Sequence, residues 1–104
     1  MERYERARMF FDAEDYITTA GMLADLAAEV PGDLALRLLL ARAYYHSAQL
    51  GRAERTLREL VAEDPVEVYA HLLLGRTLQR QSRHEEAHTY LRLAAAMSPE
   101  AVPA

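Results

Sequence analysis

The sequence predicts an all-α fold, and the first observation behind this prediction is an internal period of 34 residues. Residues of the same type recur at this interval in three triplets: Pro31, Pro65 and Pro99; Arg8, Arg42 and Arg76; and Leu23, Leu57 and Leu91. The second observation is that apolar residues within one copy recur at i, i+3, i+4 and i+7, the spacing of one helix face. Examples are Leu36, Leu40, Ala43 and Tyr44, followed by Ala53, Leu57, Leu60 and Val61. No segment alternates with the period of two that a strand requires.

Each copy of the unit predicts two helices joined by a short break. In the second copy the stretch SAQLG, from residue 47 to residue 51, separates them, and Pro65 ends the copy because proline cannot continue a helix interior. The six predicted helices span residues 2–13, 16–29, 34–47, 50–63, 67–81 and 84–97.

This unit resembles the tetratricopeptide repeat, whose 34-residue signature is W-x2-L-G-x2-Y, then A-x3-F, then P. The matching residues of the second copy are Arg37, Leu40, Ala41, Tyr44, Ala53, Leu57 and Pro65. Those of the third are His71, Leu74, Gly75, Leu78, Ala87, Leu91 and Pro99, and those of the first are Arg3, Arg6, Ala7, Phe10, Thr19, Leu23 and Pro31. The signature Trp is absent, but all three copies keep a small residue where two helices are expected to cross.

The resemblance implies an α-solenoid of three antiparallel helix pairs, wound as a right-handed superhelix. We expect one domain over residues 1–99, with repeats at about 1–33, 34–67 and 68–99, and a short tail over residues 100–104.

Composition excludes several other classes of protein. The formal net charge is −4 and no long basic run occurs, which argues against nucleic acid or an anionic membrane as the partner. The chain has no Cys, and all its basic residues apart from His are Arg. The charged start MERYERARMFF and the lack of a long apolar run argue against a signal peptide or a membrane span. We therefore expect a cytoplasmic protein, and the richness in Arg and Ala is typical of a bacterial one.

The resemblance also implies that the first helix of each repeat lines a concave groove. Three consecutive leucines, as in LRLLLARAYY, sweep about 200° of a helix, so the core alone does not explain them. We expect Leu38 and Leu72 to pack between helices, and Leu39 and Leu73 to form an apolar floor for the groove. The candidate binding residues are Arg8, Phe11, Leu39, Arg42, Tyr45, His46, Tyr69, Leu73, Arg76 and Arg80.

Arginine binds carboxylates through two parallel hydrogen bonds, and tyrosine gives apolar area with a polar tip. The expected partner is therefore a protein segment, extended or helical, with apolar and acidic residues. One subset of the family grips the C-terminal carboxylate of chaperones with Lys, Asn and Arg. The matching positions here are Tyr4, Arg8, Leu39, Tyr69 and Leu73, of which only Arg8 is basic, so we expect no binding of that type.

The stretch HEEAH, residues 84–88, fits the H-E-x-x-H pattern of zinc proteases. A catalytic zinc needs a third protein ligand, and the extended motif would place Gly and His where this chain has Leu91 and Ala94. Ser82 and Glu85 also fit a capping box at a helix start. We expect no metal site, no cofactor and no catalysis, and we expect His71 to be half buried at the signature Trp position.

An alternative function is self-association. Repeat arrays need polar capping elements, and the third copy is followed only by SPEAVPA, where Ser98 and Pro99 could begin another helix. Tyr90, Leu93 and Met97 are then expected to be exposed on the last helix. At the other end of the array, Met9 and Phe10 are expected to be exposed in the same way. Coverage by a second copy would give a homodimer.

Overall fold

The computed structural model describes residues 2–98, and six helices account for most of them. They are α1 (Arg3–Asp12), α2 (Tyr16–Glu29), α3 (Leu34–His46), α4 (Leu50–Glu63), α5 (Val68–Arg80) and α6 (His84–Met97). No strand occurs within residues 2–98, so the predicted all-α class is confirmed. Every predicted boundary lies within one residue of the observed one, because the apolar spacing stops at each turn.

The chain divides into two compact units, Met1–Ala53 and Glu54–Ala104. In the first unit α2 packs against both α1 and α3. The three helices share one apolar cluster of buried residues: Ala7, Ala20, Leu23, Leu36, Leu39, Leu40 and Ala43. The cluster therefore contains buried residues from α1, α2 and α3.

Thr19 is a buried polar residue in the first unit, at the position where the other copies have Ala53 and Ala87. Its hydroxyl donates to the Asp15 carbonyl oxygen at 2.8 Å, and the Ala7 carbonyl oxygen lies 3.4 Å away. A buried hydroxyl is tolerated when it is hydrogen-bonded. Thr19 can therefore be buried at a position that is alanine in the other two copies.

In the second unit α5 packs against α6. The completely buried leucines of this unit include Leu57 and Leu60 on α4 and Leu74 and Leu78 on α5. Gly75 lies at a close approach of the two helices. A β-carbon at this position would stand 2.6 Å from the Cγ and Cδ2 atoms of Leu91 and 3.3 Å from the Ala87 carbonyl oxygen. The small residue expected at the crossing is therefore confirmed in this unit.

A residue with left-handed backbone ends the first helix of every copy. Glu14, Ala48 and Ser82 have φ of 63°, 61° and 62°, and they are spaced by the repeat length. Around Ala48, the Gln49 N–H donates to Tyr44 O at 2.8 Å and the Ala48 N–H donates to Tyr45 O at 3.1 Å. This pair of bonds is a Schellman motif, and the same pair recurs in both other copies. Three-residue turns thus reverse the chain between α1 and α2, α3 and α4, and α5 and α6.

The capping box predicted at Ser82 and Glu85 is wrong. Ser82 is the left-handed residue of its turn, and Arg83 is the N-cap of α6, without a side-chain cap hydrogen bond. True caps occur at Asp15 and Asp33, whose carboxylates accept from the Thr18 and Leu36 N–H groups at 3.2 and 3.1 Å.

The exposure expected on α6 is confirmed only for Leu93, at 43%, since Tyr90 and Met97 are half buried. On α1, Met9 is 55% exposed and Phe10 is half buried. The helix considered after Ser98 falls outside the described residues. Between residues 2 and 98, none of the helices combines the length and the apolar character that spanning a membrane would require.

Candidate functional site

An aromatic surface forms in the first unit where α1 ends, α2 begins and α3 ends. It consists of Phe11, Tyr16, Arg42, Tyr45 and His46. The three-residue turn after α1 places Tyr16 beside Phe11, with ring centroids 5.2 Å apart and the rings edge to face. His46 then stacks on Tyr16 at 4.7 Å with an interplanar angle of 24°. The rings make one continuous contact surface.

Two further contacts complete the aromatic surface. His46 meets Phe11 edge to face at 5.9 Å and Tyr45 at 5.4 Å. The Arg42 guanidinium carbon lies 4.7 Å from the centroid of the Phe11 ring, which is cation–π geometry. His46 is exposed, and the other four residues are half buried. The rings therefore support one another through direct contacts and are still accessible from outside.

Four of these five residues are among the predicted binding residues, and the structure brings all four together. Tyr16 was missed because it belongs to the second helix of its repeat, while the family resemblance directs attention to first helices. One signal could have found it: Tyr16 is an aromatic residue immediately after a predicted helix break. Arg8 is exposed on α1, one turn before Phe11.

The apolar floor predicted from Leu39 and Leu73 is wrong as an exposed surface. Leu39 is 7% exposed and Leu73 is 6% exposed, whereas Leu38 and Leu72 are half buried. Leu39 belongs to the apolar cluster of the first unit, in which α2 residues such as Leu23 are completely buried. The core therefore takes the leucine that the sequence analysis assigned to the groove, and the aromatic rings supply the accessible apolar area.

In the second unit, Tyr69, Arg76 and Arg80 are exposed on α5, with Tyr69 at 38%. Together with Leu73 they are spaced by four, three and four residues, which places them on one side of the helix. Leu73 lies buried beneath this exposed row.

A closed ring of ion pairs links α4, α6 and the turn before α6 in the second unit. Arg58 binds Glu54 at 2.8 Å and Glu86 at 2.9 Å, and Arg83 binds the same two carboxylates at 2.7 and 2.8 Å. The Tyr90 hydroxyl accepts a further bond from Arg58 at 3.1 Å. The Glu54–Arg58 pair has the i, i+4 spacing of neighbours on one helix face, whereas the other three pairs join residues of different elements or of the turn before α6.

The ion-pair ring shifts the pKa values of its members. Burial alone would raise the pKa of Glu54, but hydrogen bonds from Arg58 and Arg83 outweigh this effect and lower it. Hydrogen bonds from Arg83 and Arg58 lower the pKa of Glu86, and the bond to Glu54 raises the pKa of Arg58. All four groups are thus held in their charged forms.

The HEEAH stretch begins α6, with His84, Glu85 and His88 exposed and Ala87 buried at 1% exposure. Within residues 2–98 no group of three His, Cys, Asp or Glu side chains could hold a metal ion. His71 is not half buried as predicted, because it is only 3% exposed. Its Nδ1 atom lies 3.0 Å from the Glu67 carbonyl oxygen, so this histidine is a core residue.

Solved structures with the same fold include MamA 41-end from Desulfovibrio magneticus RS-1, with a TM-score of 0.85 and 22% identity over 98% of this chain. The MamA RS-1 ArsTM double mutant gives 0.84 at 22% identity over 98% of the chain, and MamA MSR-1 C2 gives 0.83 at 17% over 92%. The chain spans little more than half of each of these proteins, 57%, 57% and 55% of their lengths. These likenesses confirm the fold. No curated protein matches the chain.

A family model supports the same conclusion from sequence. The tetratricopeptide repeat model matches residues 10–77, which is more than half of the chain. The match includes most of the first repeat, from residue 10 onward, the whole second repeat and the first ten residues of α5. Together with the 34-residue period and the six helices, it shows that the chain belongs to the tetratricopeptide repeat family.

Proposed function

We propose that this chain is a protein-interaction module whose aromatic surface binds a segment of a partner protein. The observation that carries the proposal is the accessible contact surface of Phe11, Tyr16, Tyr45 and His46, joined by the Arg42 guanidinium. Tyrosine, phenylalanine and arginine are enriched at the centres of protein interfaces. The family membership supports the same kind of role.

The chemistry of the aromatic surface favours a segment with apolar and acidic side chains. The rings offer area for an apolar anchor, while Arg8 and Arg42 offer cationic groups to carboxylates. On the second unit, the α5 residues Tyr69, Arg76 and Arg80 offer a second contact of the same chemistry. The module acts by binding alone, without a catalytic step or a cofactor. Its composition supports a bacterial, cytoplasmic setting.

Matched peptides test this proposal. The probe is a peptide with Leu and Glu residues in an otherwise neutral sequence, compared with the same peptide carrying Lys in place of Glu. Amide shifts in a nuclear magnetic resonance titration should concentrate at Phe11, Tyr16, Tyr45 and His46, and binding of the acidic peptide should be at least tenfold tighter. Equal binding of both peptides, or shifts confined to other residues, would contradict the proposal.

Two charge reversals provide the control pair. Arg42→Glu should weaken binding of the acidic peptide at least tenfold, because it removes the cation over Phe11 and adds a repelling charge. Arg55→Glu makes the same change at an exposed position of α4 outside the aromatic surface, and it should leave binding unchanged. Equal losses in both variants would indicate a non-specific effect of net charge.

Self-association is the second candidate, favoured by two exposed apolar residues. Met9 is 55% exposed beside a depression lined by Arg6, Phe10 and Ala13, and Leu93 is 43% exposed beside one lined by Thr89, Arg92 and Ala96. Light scattering across a hundredfold range of concentration tests it. A mass that rises in the natural chain and stays monomeric in Met9→Glu or Leu93→Glu supports self-association, whereas a monomer throughout excludes it.

The two candidates can be separated with one variant. The double change Arg42→Glu, Arg76→Glu should abolish peptide binding at the aromatic surface and leave the mass distribution as it is. A change in mass without a change in peptide binding would favour self-association over the aromatic surface as the function.

A further inference from the structure

A groove on the first unit lies apart from the aromatic surface. This α2 groove has a volume of about 270 Å³ and is lined by Ile17, Ala20, Gly21, Ala24, Tyr44, Gln49 and Arg52. Its floor consists of small α2 residues, and nothing lies within 4 Å of a β-carbon built on Gly21. Ile17 stands at its edge with 73% exposure. At its rim the Arg52 Nη1 donates to the Gln49 Oε1 at 2.8 Å.

The second unit shows how the corresponding place is filled. Moved by one repeat of 34 residues, Ala20, Ala24, Gln49 and Arg52 correspond to Glu54, Arg58, Arg83 and Glu86. These four are the residues of the ion-pair ring. In the first unit the α2 residues Ala20 and Ala24 stand in place of the two long α4 side chains of that ring, while a polar pair, Gln49 and Arg52, remains at the start of α4. The groove therefore lies where the second unit has the side chains of Glu54 and Arg58, and the first unit has no long side chains of its own there.

Size and charge restrict what can occupy the α2 groove. Small-molecule sites usually have volumes of about 300–1,000 Å³, so this groove fits one or two side chains better than a whole ligand. Arg52 stands where the second unit has Glu86, which reverses the charge at the rim. The complementary group is therefore a carboxylate, not a guanidinium. Ile17, Ala20, Ala24 and Tyr44 supply apolar walls for an aliphatic side chain.

We propose that the α2 groove docks a helix of a partner protein which places an aliphatic side chain over Ala20 and Ala24 and a glutamate against Arg52. Small residues on α2 let a second helix approach closely, since helices pack by inserting side chains between the rows of the facing helix. An aliphatic residue and a glutamate four positions apart lie on one face of such a helix and reach both parts of the groove. This docking is independent of the aromatic surface.

Three matched helical peptides test the proposal on the full chain. Each has an alanine-rich background, and they carry Leu and Glu, Leu and Lys, or Ala and Glu at positions i and i+4. The Leu–Glu peptide should shift the amides of Ile17, Gly21, Ala24, Gln49 and Arg52, and its dissociation constant should be at least tenfold lower than those of the other two. No shift at these five residues with any peptide, or equal affinities for this groove, would overturn the proposal, whether or not residues of the aromatic surface shift as well.

Two variants make the test specific. Arg52→Glu should reverse the preference, so that the Leu–Lys peptide binds better than the Leu–Glu peptide. The double change Ala20→Glu, Ala24→Arg builds the ring residues of the second unit into α2 and should abolish binding of all three peptides. Unaltered preference in Arg52→Glu, or unaltered binding in a folded double variant, would overturn the proposal.

The test of the α2 groove can fail or succeed independently of the test of the aromatic surface. Arg42→Glu changes the aromatic surface and should leave binding at the α2 groove as it is, while Arg52→Glu should leave binding at the aromatic surface as it is. Circular dichroism at 222 nm confirms that each variant is folded. Should the double variant fail to fold, the charge reversal at Arg52 alone decides the matter, because Arg52 is exposed.

Discussion

Gly75 on α5 lies so close to Leu91 on α6 that a β-carbon at position 75 would be 2.6 Å from both the Cγ and the Cδ2 atoms of the leucine. This contact is shorter than any that packed carbon atoms adopt, so the Leu91 side chain or one of the two helices must shift when Gly75 acquires a side chain. Gly75 is thus selected by the approach of two helices and not by backbone freedom, because its φ is an ordinary helical one.

The first prediction is that Gly75→Ala lowers the free energy of unfolding. Overpacking a core costs about 1–3 kcal/mol, while exchanging glycine for alanine inside a helix gains about 1 kcal/mol, so a net loss of about 1 kcal/mol is expected. Gly21→Ala is the matched control, because Gly21 is also within a helix but has open space around its β-position. It should raise stability by about 0.5–1 kcal/mol in urea unfolding. Stabilisation of both variants would contradict the predicted contact.

The second prediction concerns pH and the ion-pair ring. Hydrogen bonds from the two arginines lower the pKa values of Glu54 and Glu86 in the folded chain below the ordinary 4.5. The unfolded chain therefore binds more protons in this range, and stability is retained above about pH 5 and lost as pH falls through the lowered folded values. Urea unfolding between pH 7 and pH 3 should show this decline.

Glu54→Gln isolates the contribution of the ring. The Glu54 side chain is only 16% exposed and its carboxylate binds two arginines. Removing its charge in Glu54→Gln should lower the free energy of unfolding by about 1 kcal/mol at pH 7. Its stability should also depend less on pH below 5 than that of the natural chain. Glu85→Gln, at an exposed position beside Glu86, should keep the natural pH dependence. Parallel pH curves for the natural chain and Glu54→Gln would count against the ring.

The helices could be predicted from sequence because the 34-residue period and the apolar spacing both act within one helix. The burial of Leu39 in the core could not be predicted in the same way. Three consecutive leucines point to several sides of a helix, and only the packing of the neighbouring helices decides which side is covered. The ring could not be closed from sequence either: Arg83 and Glu54 are 29 residues apart and meet only through tertiary packing. Tyr16 became part of the aromatic surface for the same reason.

The third prediction is that zinc binds weakly at the start of α6. His84 and His88 are exposed and one helix turn apart, but two ligands do not complete the four-coordinate site that zinc prefers. Calorimetry at neutral pH should give a dissociation constant weaker than about 1 µM, and His88→Ala should remove the heat of binding. A submicromolar constant in the natural chain would contradict a site with only these two ligands.

The fourth prediction concerns the left-handed turn residues, which the sequence does not reveal because Glu14, Ala48 and Ser82 share no residue type. A β-carbon in this conformation costs about 1–2 kcal/mol, whereas glycine adopts it freely but costs about 0.5–1 kcal/mol more to order. Ala48→Gly should therefore stabilise the chain by about 0.5–1 kcal/mol in urea unfolding. Ala95→Gly, at an exposed position inside α6, should destabilise it by about 1 kcal/mol. If both changes destabilise equally, the conformation at position 48 does not carry the strain inferred from its φ of 61°.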